Sequence, residues 1–365
     1  MISLKTDCRH FRGDIPCTPH KTHGVHCTDE QGADCTLYDP TDRRILLIKL
    51  GAIGDVIRTT PLLRKLKEAH PRARITWLTY TPEVVPSAVD DILPWTLQSL
   101  VTLRSIHFDI VINLDKDREA CALATQLSAD RKQGFILRDG LPAPADEAAE
   151  HKFLTGVFDD SSKANTKSYL QEIFEICGFQ FAGERYILDS FSSGGYSWKL
   201  NKKKAIVGLN TGCGGRWVSR LWDDRNWVAL AKGLKKKGYT VVLLGGEQEH
   251  LKNKKLAART GAIYPGHFPL PQFINLVDQC SLVVTGVTMA LHISIGLGKP
   301  TVLLNNIFNR HEFELYGNGV LVEPDRPCQC FYQAACTNSQ YRCMEHLPVS
   351  RVLESCVRLL KTSAQ

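Results

Sequence analysis

Ile45-Leu46-Leu47-Ile48-Lys49-Leu50-Gly51-Ala52-Ile53-Gly54-Asp55-Val56-Ile57 reads as a buried strand that runs through a two-glycine turn into a helix. Its first four residues are an apolar run of strand length, bounded by charge and glycine. Gly51 and Gly54 permit a tight turn and a close approach of a ligand to the backbone. The helix is expected from about Val56 to Ala69, ending before Pro71. Asp55 falls at or near its N-terminus, where a carboxylate either caps the helix or faces a ligand. The glycines do not stand at the first, third and sixth positions of a dinucleotide fingerprint, and no Lys-Ser/Thr follows as in a P-loop. A nicotinamide enzyme is therefore disfavoured.

Outward from this unit the pattern repeats. Strands are expected at Arg74 to Leu78 and Phe108 to Asn113, a loop from Asp139 to Ala149, and a helix from Ser168 to Cys177. A composition break at Ser190 to Lys204, with Ser192-Ser193-Gly194-Gly195 and a lysine run, reads as a linker. The alternation then restarts with strands at Ala205 to Asn210, Thr240 to Leu244, Leu282 to Thr285 and Pro300 to Leu304. Helices are expected at Trp227 to Lys237, after Glu247, and at Met289 to Gly296. Strands alternating with helices predict an α/β fold of two doubly wound, mostly parallel sheets, with ligands at the carboxyl ends of the strands. The expected division is a Cys-rich extension (1–40), an N-terminal Rossmann-like domain (41–190), a linker (191–204), a C-terminal Rossmann-like domain (205–345) and a closing helix (346–365).

Composition narrows the function classes. The chain has 365 residues, a formal charge of +7 and 13 cysteines. The charge suits phosphorylated or acidic substrates near an anionic membrane face, but Lys202-Lys203-Lys204 and Lys235-Lys236-Lys237 are ordinary solvated runs. No recognition-helix or RNA-binding signature points to nucleic acid. No stretch approaches the ~20 apolar residues that cross a bilayer, and no apolar run opens the chain; a cytoplasmic location is expected. Cys8, Cys17, Cys27 and Cys35 lie in the polar extension; Cys328, Cys330, Cys336 and Cys343 lie near the end. Groups of four thiols without a signal peptide point to a structural metal, zinc or iron, and not to disulfides. Cysteines from both ends sharing one site is the alternative.

Four further segments carry chemistry. Gly208-Leu209-Asn210-Thr211-Gly212-Cys213-Gly214-Gly215-Arg216 offers backbone N–H groups to a phosphate, with Thr211, Gly212, Arg216 and Arg220 as candidate diphosphate contacts. Leu243-Leu244-Gly245-Gly246-Glu247 places Glu247 after a glycine-rich strand end, either as a ligand contact or as a plain first-turn glutamate favoured by the helix dipole. Val287-Thr288-Met289-Ala290-Leu291-His292 opens a helix whose N-terminus would hold phosphate, with Thr288, Met289 and His292 nearby. Asn113-Leu114-Asp115-Lys116-Asp117-Arg118 follows a strand end, where Lys116 and Arg118 either meet an anionic ligand or belong to a solvated loop.

Lys49, Gly54-Asp55, Val56-Ile57 and Pro61 together resemble the N-terminal motif of the family 9 glycosyltransferases, the heptosyltransferases, and the order of motifs is similar over most of residues 43–345. The resemblance implies a GT-B architecture, two Rossmann-like domains about a cleft. It implies transfer of a sugar, heptose or related, from a nucleoside-diphosphate sugar to a hydroxyl of a lipopolysaccharide core, another glycan, a lipid-linked glycan or a protein. ADP is the nucleotide it favours, and no divalent metal is needed for the chemistry. Asp55 takes the place of the family's general base, Gly54 its glycine beside the donor, Glu247 its glutamate at the ribose hydroxyls of the nucleoside pocket, and Asp115, with Lys116 beside it, its aspartate near the acceptor. Arg220 stands where the family has a phosphate-binding lysine. Val287 and Met289 stand where the family has the aspartate and glycine of an Asp-Thr-Gly-x-x-His motif, of which His292 is kept. Asn305, Asn306 and Glu312 are candidates to replace the missing sugar contacts. The C-terminal cysteines resemble an iron-binding element of protein-modifying heptosyltransferases. Peripheral contact with the inner membrane is compatible with such an acceptor. Rival expectations are a non-catalytic nucleotide-sugar scaffold and a sugar-nucleotide epimerase; oligomeric state is left open.

Overall fold

The computed structural model describes residues 3–191, 194–198, 200–201 and 203–362. Ser192, Ser193, Lys199 and Lys202 of the expected linker, and 363–365 of the expected closing segment, lie outside the described residues. The chain forms two compact α/β units that interleave in sequence instead of dividing once near residue 190.

The first unit comprises Met1–Leu50, Leu62–Glu150 and Ile176–Phe179. Its strands are β1 (Arg43–Ile48), β2 (Ala73–Thr79), β3 (Asp91–Pro94), β4 (His107–Asn113), β5 (Ser128–Arg138) and β6 (Leu141–Pro144). They are ordered β3-β2-β1-β4-β5-β6, parallel except for the β5–β6 hairpin. Ile45 to Ile48 are wholly buried, as an apolar run in a central parallel strand requires. The extension belongs to this unit. Pro19 and Thr28 are the only buried residues described in 3–40, and Arg9 ties the segment down through Asp39 (2.8 Å), Asp90 (2.7 Å) and the Ala73 carbonyl.

The second unit comprises Gly51–Pro61, His151–Glu175 and Gln180–Gln365. Its sheet, β8 (Thr240–Leu244), β7 (Ile206–Asn210), β9 (Leu282–Gly286), β10 (Thr301–Leu304) and β11 (Gly319–Val322), is parallel throughout and runs in that order. Leu209, Trp227, Leu230 and Val284 fill its core, joined by Val352, Cys356 and Leu360 of the closing helix Val349–Thr362.

Two expectations are corrected. The single helix Val56 to Ala69 is two, Ile53–Thr59 and Leu62–Ala69. Pro61 has no N–H to continue the ladder, and its ring clashes with the carbonyl four residues back. The stretch 139–149 is not a plain loop, because Leu141–Pro144 is a strand. Asp139 and Gly140 both take positive φ (51° and 77°) between the paired Arg138 and Leu141, a two-residue hairpin turn.

Candidate active site

In the second sheet the strand order reverses between β7 and β9, and ligands of such sheets bind at the carboxyl ends beside that reversal. A cavity of about 520 Å³ lies there, reached by Ile53, Gly212, Arg220, Glu247, Thr288 and Met289. Asn210 ends β7 and stitches the rim, its Nδ2 donating to Thr285 Oγ1 (3.0 Å) and Thr288 Oγ1 (3.1 Å). Thr288 caps the helix Met289–Gly296 by accepting from the Ala290 N–H. A Cβ on Gly212 would overlap the Glu249 carboxylate, so any side chain there would displace that carboxylate. That carboxylate in turn accepts from the Gly246 N–H at 3.0 Å.

Arg220 crosses the base of the cavity. Its guanidinium donates to the Cys213 carbonyl (2.8 Å) and the Val287 carbonyl, joining the glycine-rich loop to the helix entry. Burial lowers its pKa below the usual arginine value. Its Nε is buried and has no hydrogen-bond partner among the described residues. An orphaned N–H on a buried cation is costly unless an anion completes it.

The helix Ile53–Thr59 packs within the same unit. A Cβ on Gly54 would stand 2.5 Å from His292 Cδ2, so glycine is what lets the helix lie against His292. Asp55 accepts from the Ala52 N–H (3.2 Å), capping the helix N-terminus, and has Arg58 Nε 2.8 Å from its Oδ1. Arg58 also pairs with Glu312 at 2.7 Å and lies 3.7 Å over the Tyr169 ring. Asp55 is thus both a cap and the exposed end of a charged cluster.

The model of glycosyltransferase family 9 (heptosyltransferase) matches residues 158–339. The chain is heptosyltransferase-like. It is 25% identical over 114 residues to lipopolysaccharide heptosyltransferase 2 of Salmonella typhimurium, a stretch that covers 29% of this chain and 32% of that protein. The chain thus spans about a third of the length of the curated relatives it matches. Among solved structures, the family 9 glycosyl transferase of Veillonella parvula superposes with TM-score 0.68 at 18% identity, covering 88% of this chain and 98% of that one. E. coli ADP-heptose lps heptosyltransferase II gives 0.65 at 18% identity, covering 88% and 100%. The fold is the GT-B fold of these transferases.

The structure gathers Gly212, Arg220, Glu247, Thr288 and Met289 into one cavity, and it sends other expected contacts elsewhere. Thr211 is buried and donates to Asn253 Oδ1 at 2.6 Å. Arg216 is exposed beside Trp217, outside the cavity lining. His292 is a core residue under Gly54, 3.4 Å from the Tyr186 hydroxyl. Asp115 is buried, ion-paired with Lys49 and accepting from the Leu50 N–H, so it braces the first sheet instead of reaching an acceptor. Lys116 sits over the Phe135 ring. Asn305 is buried against Phe308 and Glu323. Asn306 ties the Ser219 carbonyl, and Glu312 belongs to the Asp55 cluster. None of these three lines the cavity. Asn210, Glu249, Phe268 and Phe273 do, and the sequence reading missed them. The Gly246-x-x-Glu249 spacing was the one local signal; the phenylalanines come from elements that only the fold brings here.

The cysteines group as expected in sequence but not as finished metal centres. Among the described residues no three His, Cys, Asp or Glu side chains are arranged to hold an ion. Cys330 and Cys336 touch at 3.7 Å and Cys328 hydrogen-bonds Cys343, all four beside one pocket. Their loop is laced to the Arg220 turn, because Ser219 donates to the Ala334 and Gln333 carbonyls. Cys8, Cys17, Cys27 and Cys35 surround a separate cavity of about 20 Å³ with His10 and His26.

Burial of His292 sets an acid sensitivity. Desolvation lowers its pKa from 6.5 to about 3. The unfolded chain therefore takes up this proton below pH 6.5 and the folded one does not, so stability falls as pH drops through that window. Glu312 adds to the loss below about pH 4.5: burial opposes its ionisation, but Arg58, Lys152 and the Tyr332 hydroxyl together outweigh burial and hold it ionised. Urea unfolding at pH 5 should show roughly 2 kcal/mol less stability than at pH 7 from His292 alone. A His292→Gln variant that keeps the full slope would remove this residue as its source.

Proposed function

We propose that this protein transfers a sugar, heptose or a close relative, from a nucleoside diphosphate, ADP being the favoured carrier, to a hydroxyl acceptor. The observation that carries the reading is Arg220: a half-buried guanidinium whose buried Nε–H has no hydrogen-bond partner among the described residues, set between a glycine-rich loop and a helix N-terminus at a sheet's switch point. A diphosphate supplies the missing acceptor and leaves as a stabilised anion. Glu247 faces the cavity as a ribose partner, and Phe268 and Phe273 offer an apolar wall to a base. Asp55, on the helix whose Ile53 lines the same cavity, is the base for the acceptor hydroxyl. The acceptor is a lipopolysaccharide core, glycan or protein side chain, met from the cytoplasm at the inner membrane face. Among the described residues no helix is long and apolar enough to cross a membrane.

Calorimetry with ADP, UDP and GDP tests the donor site. Arg220→Ala should weaken binding of the preferred nucleotide by about 1.5–3 kcal/mol, the worth of a charge-assisted hydrogen bond. Affinity for all three nucleotides left unchanged by the substitution would remove Arg220 from the site.

Each cysteine group would hold one structural ion, zinc or iron. The 3.7 Å contact of Cys330 and Cys336 supports this, because thiolates about 2.3 Å from one tetrahedral ion stand about 3.8 Å apart. The cavity among Cys8, Cys17, Cys27 and Cys35 has room for an ion and not for an organic ligand. An ion would stiffen an extension that has almost no core of its own. Elemental analysis of anaerobically purified protein should find close to two ions per chain, and a metal-free protein of unchanged stability would exclude both sites.

A further inference from the structure

Arg58 stands between two carboxylates. Its side chain is 12% exposed, against 31% for Asp55 and 17% for Glu312. Glu312 arrives from the segment after β10, and its other oxygen accepts from the Tyr332 hydroxyl at 2.9 Å, so both of its oxygens are engaged. Tyr169 supports the guanidinium from its face, and its hydroxyl lies 2.9 Å from Thr59 Oγ1, one turn beyond Asp55. The cation is therefore held from the Glu312 side, and Asp55 meets it as the outer partner.

The charge count separates this arrangement from a simple ion pair. Asp55, Arg58 and Glu312 sum to one negative charge, whereas Asp55 with Arg58 alone would sum to zero. The other titratable groups around the cluster leave that balance in place. Lys152, 5.2 Å over Tyr169, is paired with Glu172 at 2.6 Å. His292 is neutral at ordinary pH, and burial keeps the Tyr186 and Tyr332 phenols protonated. A carboxylate beside an unshared cation binds protons more weakly and is a poorer base.

Resting on the assignment of Asp55 as the base, we infer that Glu312 is a positioning residue for it. Glu312 grips the Arg58 guanidinium and shares its charge, so that the cation orients Asp55 without stripping its affinity for a proton. This gives Glu312 a part in the reaction although it lines no part of the donor cavity.

Carbon-13 NMR titration of labelled aspartate carboxyls, with the Asp55 signal assigned by Asp55→Asn, tests the inference without requiring turnover. In Glu312→Gln the Asp55 midpoint should fall by about one pH unit, and in Tyr332→Phe it should fall by less. The acid limb of kcat/KM should move with it while donor KM stays within a factor of two or so. A midpoint unmoved or raised in Glu312→Gln overturns the inference, as does lost turnover that only tracks lost folded protein with the limb in place. Should Glu312→Gln fail to fold, Tyr332→Phe carries the same criterion. A midpoint that falls while the acid limb stays put would leave Glu312 in its role and remove Asp55 as the base.

Discussion

Asp55→Asn is expected to lower turnover by ~10²-fold or more, the usual contribution of a positioned general base. The substitution keeps the shape of the side chain, so the amide oxygen that replaces the carboxylate can still accept from the Ala52 N–H at the helix start. Arg58 stays paired with Glu312, so the helix Ile53–Thr59 should hold its place. Donor affinity should change little, because Asp55 is not among the residues lining the cavity. The loss should therefore appear in kcat, with nucleotide binding by calorimetry near wild type. Normal turnover would reduce Asp55 to a helix cap.

Arg58→Ala should be the most destabilising single change in this site. Removing one member of a buried ion pair typically costs about 3–5 kcal/mol, because the other member is left charged and uncompensated. Here that member is Glu312, held by the Tyr332 hydroxyl, with Lys152, itself paired with Glu172, the other cation that acts on it. Asp55 suffers less, being nearly a third exposed. Urea unfolding at pH 7.5 reads the loss directly. Arg58→Ala combined with Glu312→Gln should recover part of it, since the stranded charge is then gone. A single variant within about 1 kcal/mol of wild type would mean that water or rearrangement already solvates Glu312.

The alternation of apolar runs with amphipathic stretches was legible because each property is local. Ile45 to Ile48 read as a buried strand and are one; Gly51 lies in the turn that follows, whereas Gly54, read as part of that turn, already belongs to the helix Ile53–Thr59 and serves its close approach to His292. Thr240 to Leu244 and Met289 to Gly296 have the same bounds in sequence pattern and in structure. The strand β5 was not legible, since Ser128-Ala129-Asp130-Arg131-Lys132 has no apolar run to mark it; its pairing with β4 makes it a strand. The Asp139-Gly140 turn was a local signal that the proline- and alanine-rich composition around it obscured.

The site divides the same way. A glycine-rich loop, an arginine shortly after β7, and an aspartate beside Gly54 are written along the chain, and they carry the donor and base assignments. Sequence spacing says nothing about which polar residues are already spent on one another. Asp115 and Thr211 both follow strand ends, where ligand contacts are expected, yet the fold spends Asp115 on Lys49 and Thr211 on Asn253. Glu312 is 254 positions from Arg58 and meets it only because the helix Ile53–Thr59 is folded into the second unit. By itself the sequence determined two α/β sheets and the loops at their carboxyl ends, since strand burial and turn chemistry depend on neighbouring residues. Tertiary structure alone decided which of the candidate charges face the cavity and which neutralise one another, because burying a charge is tolerated only where distant segments deliver its partner.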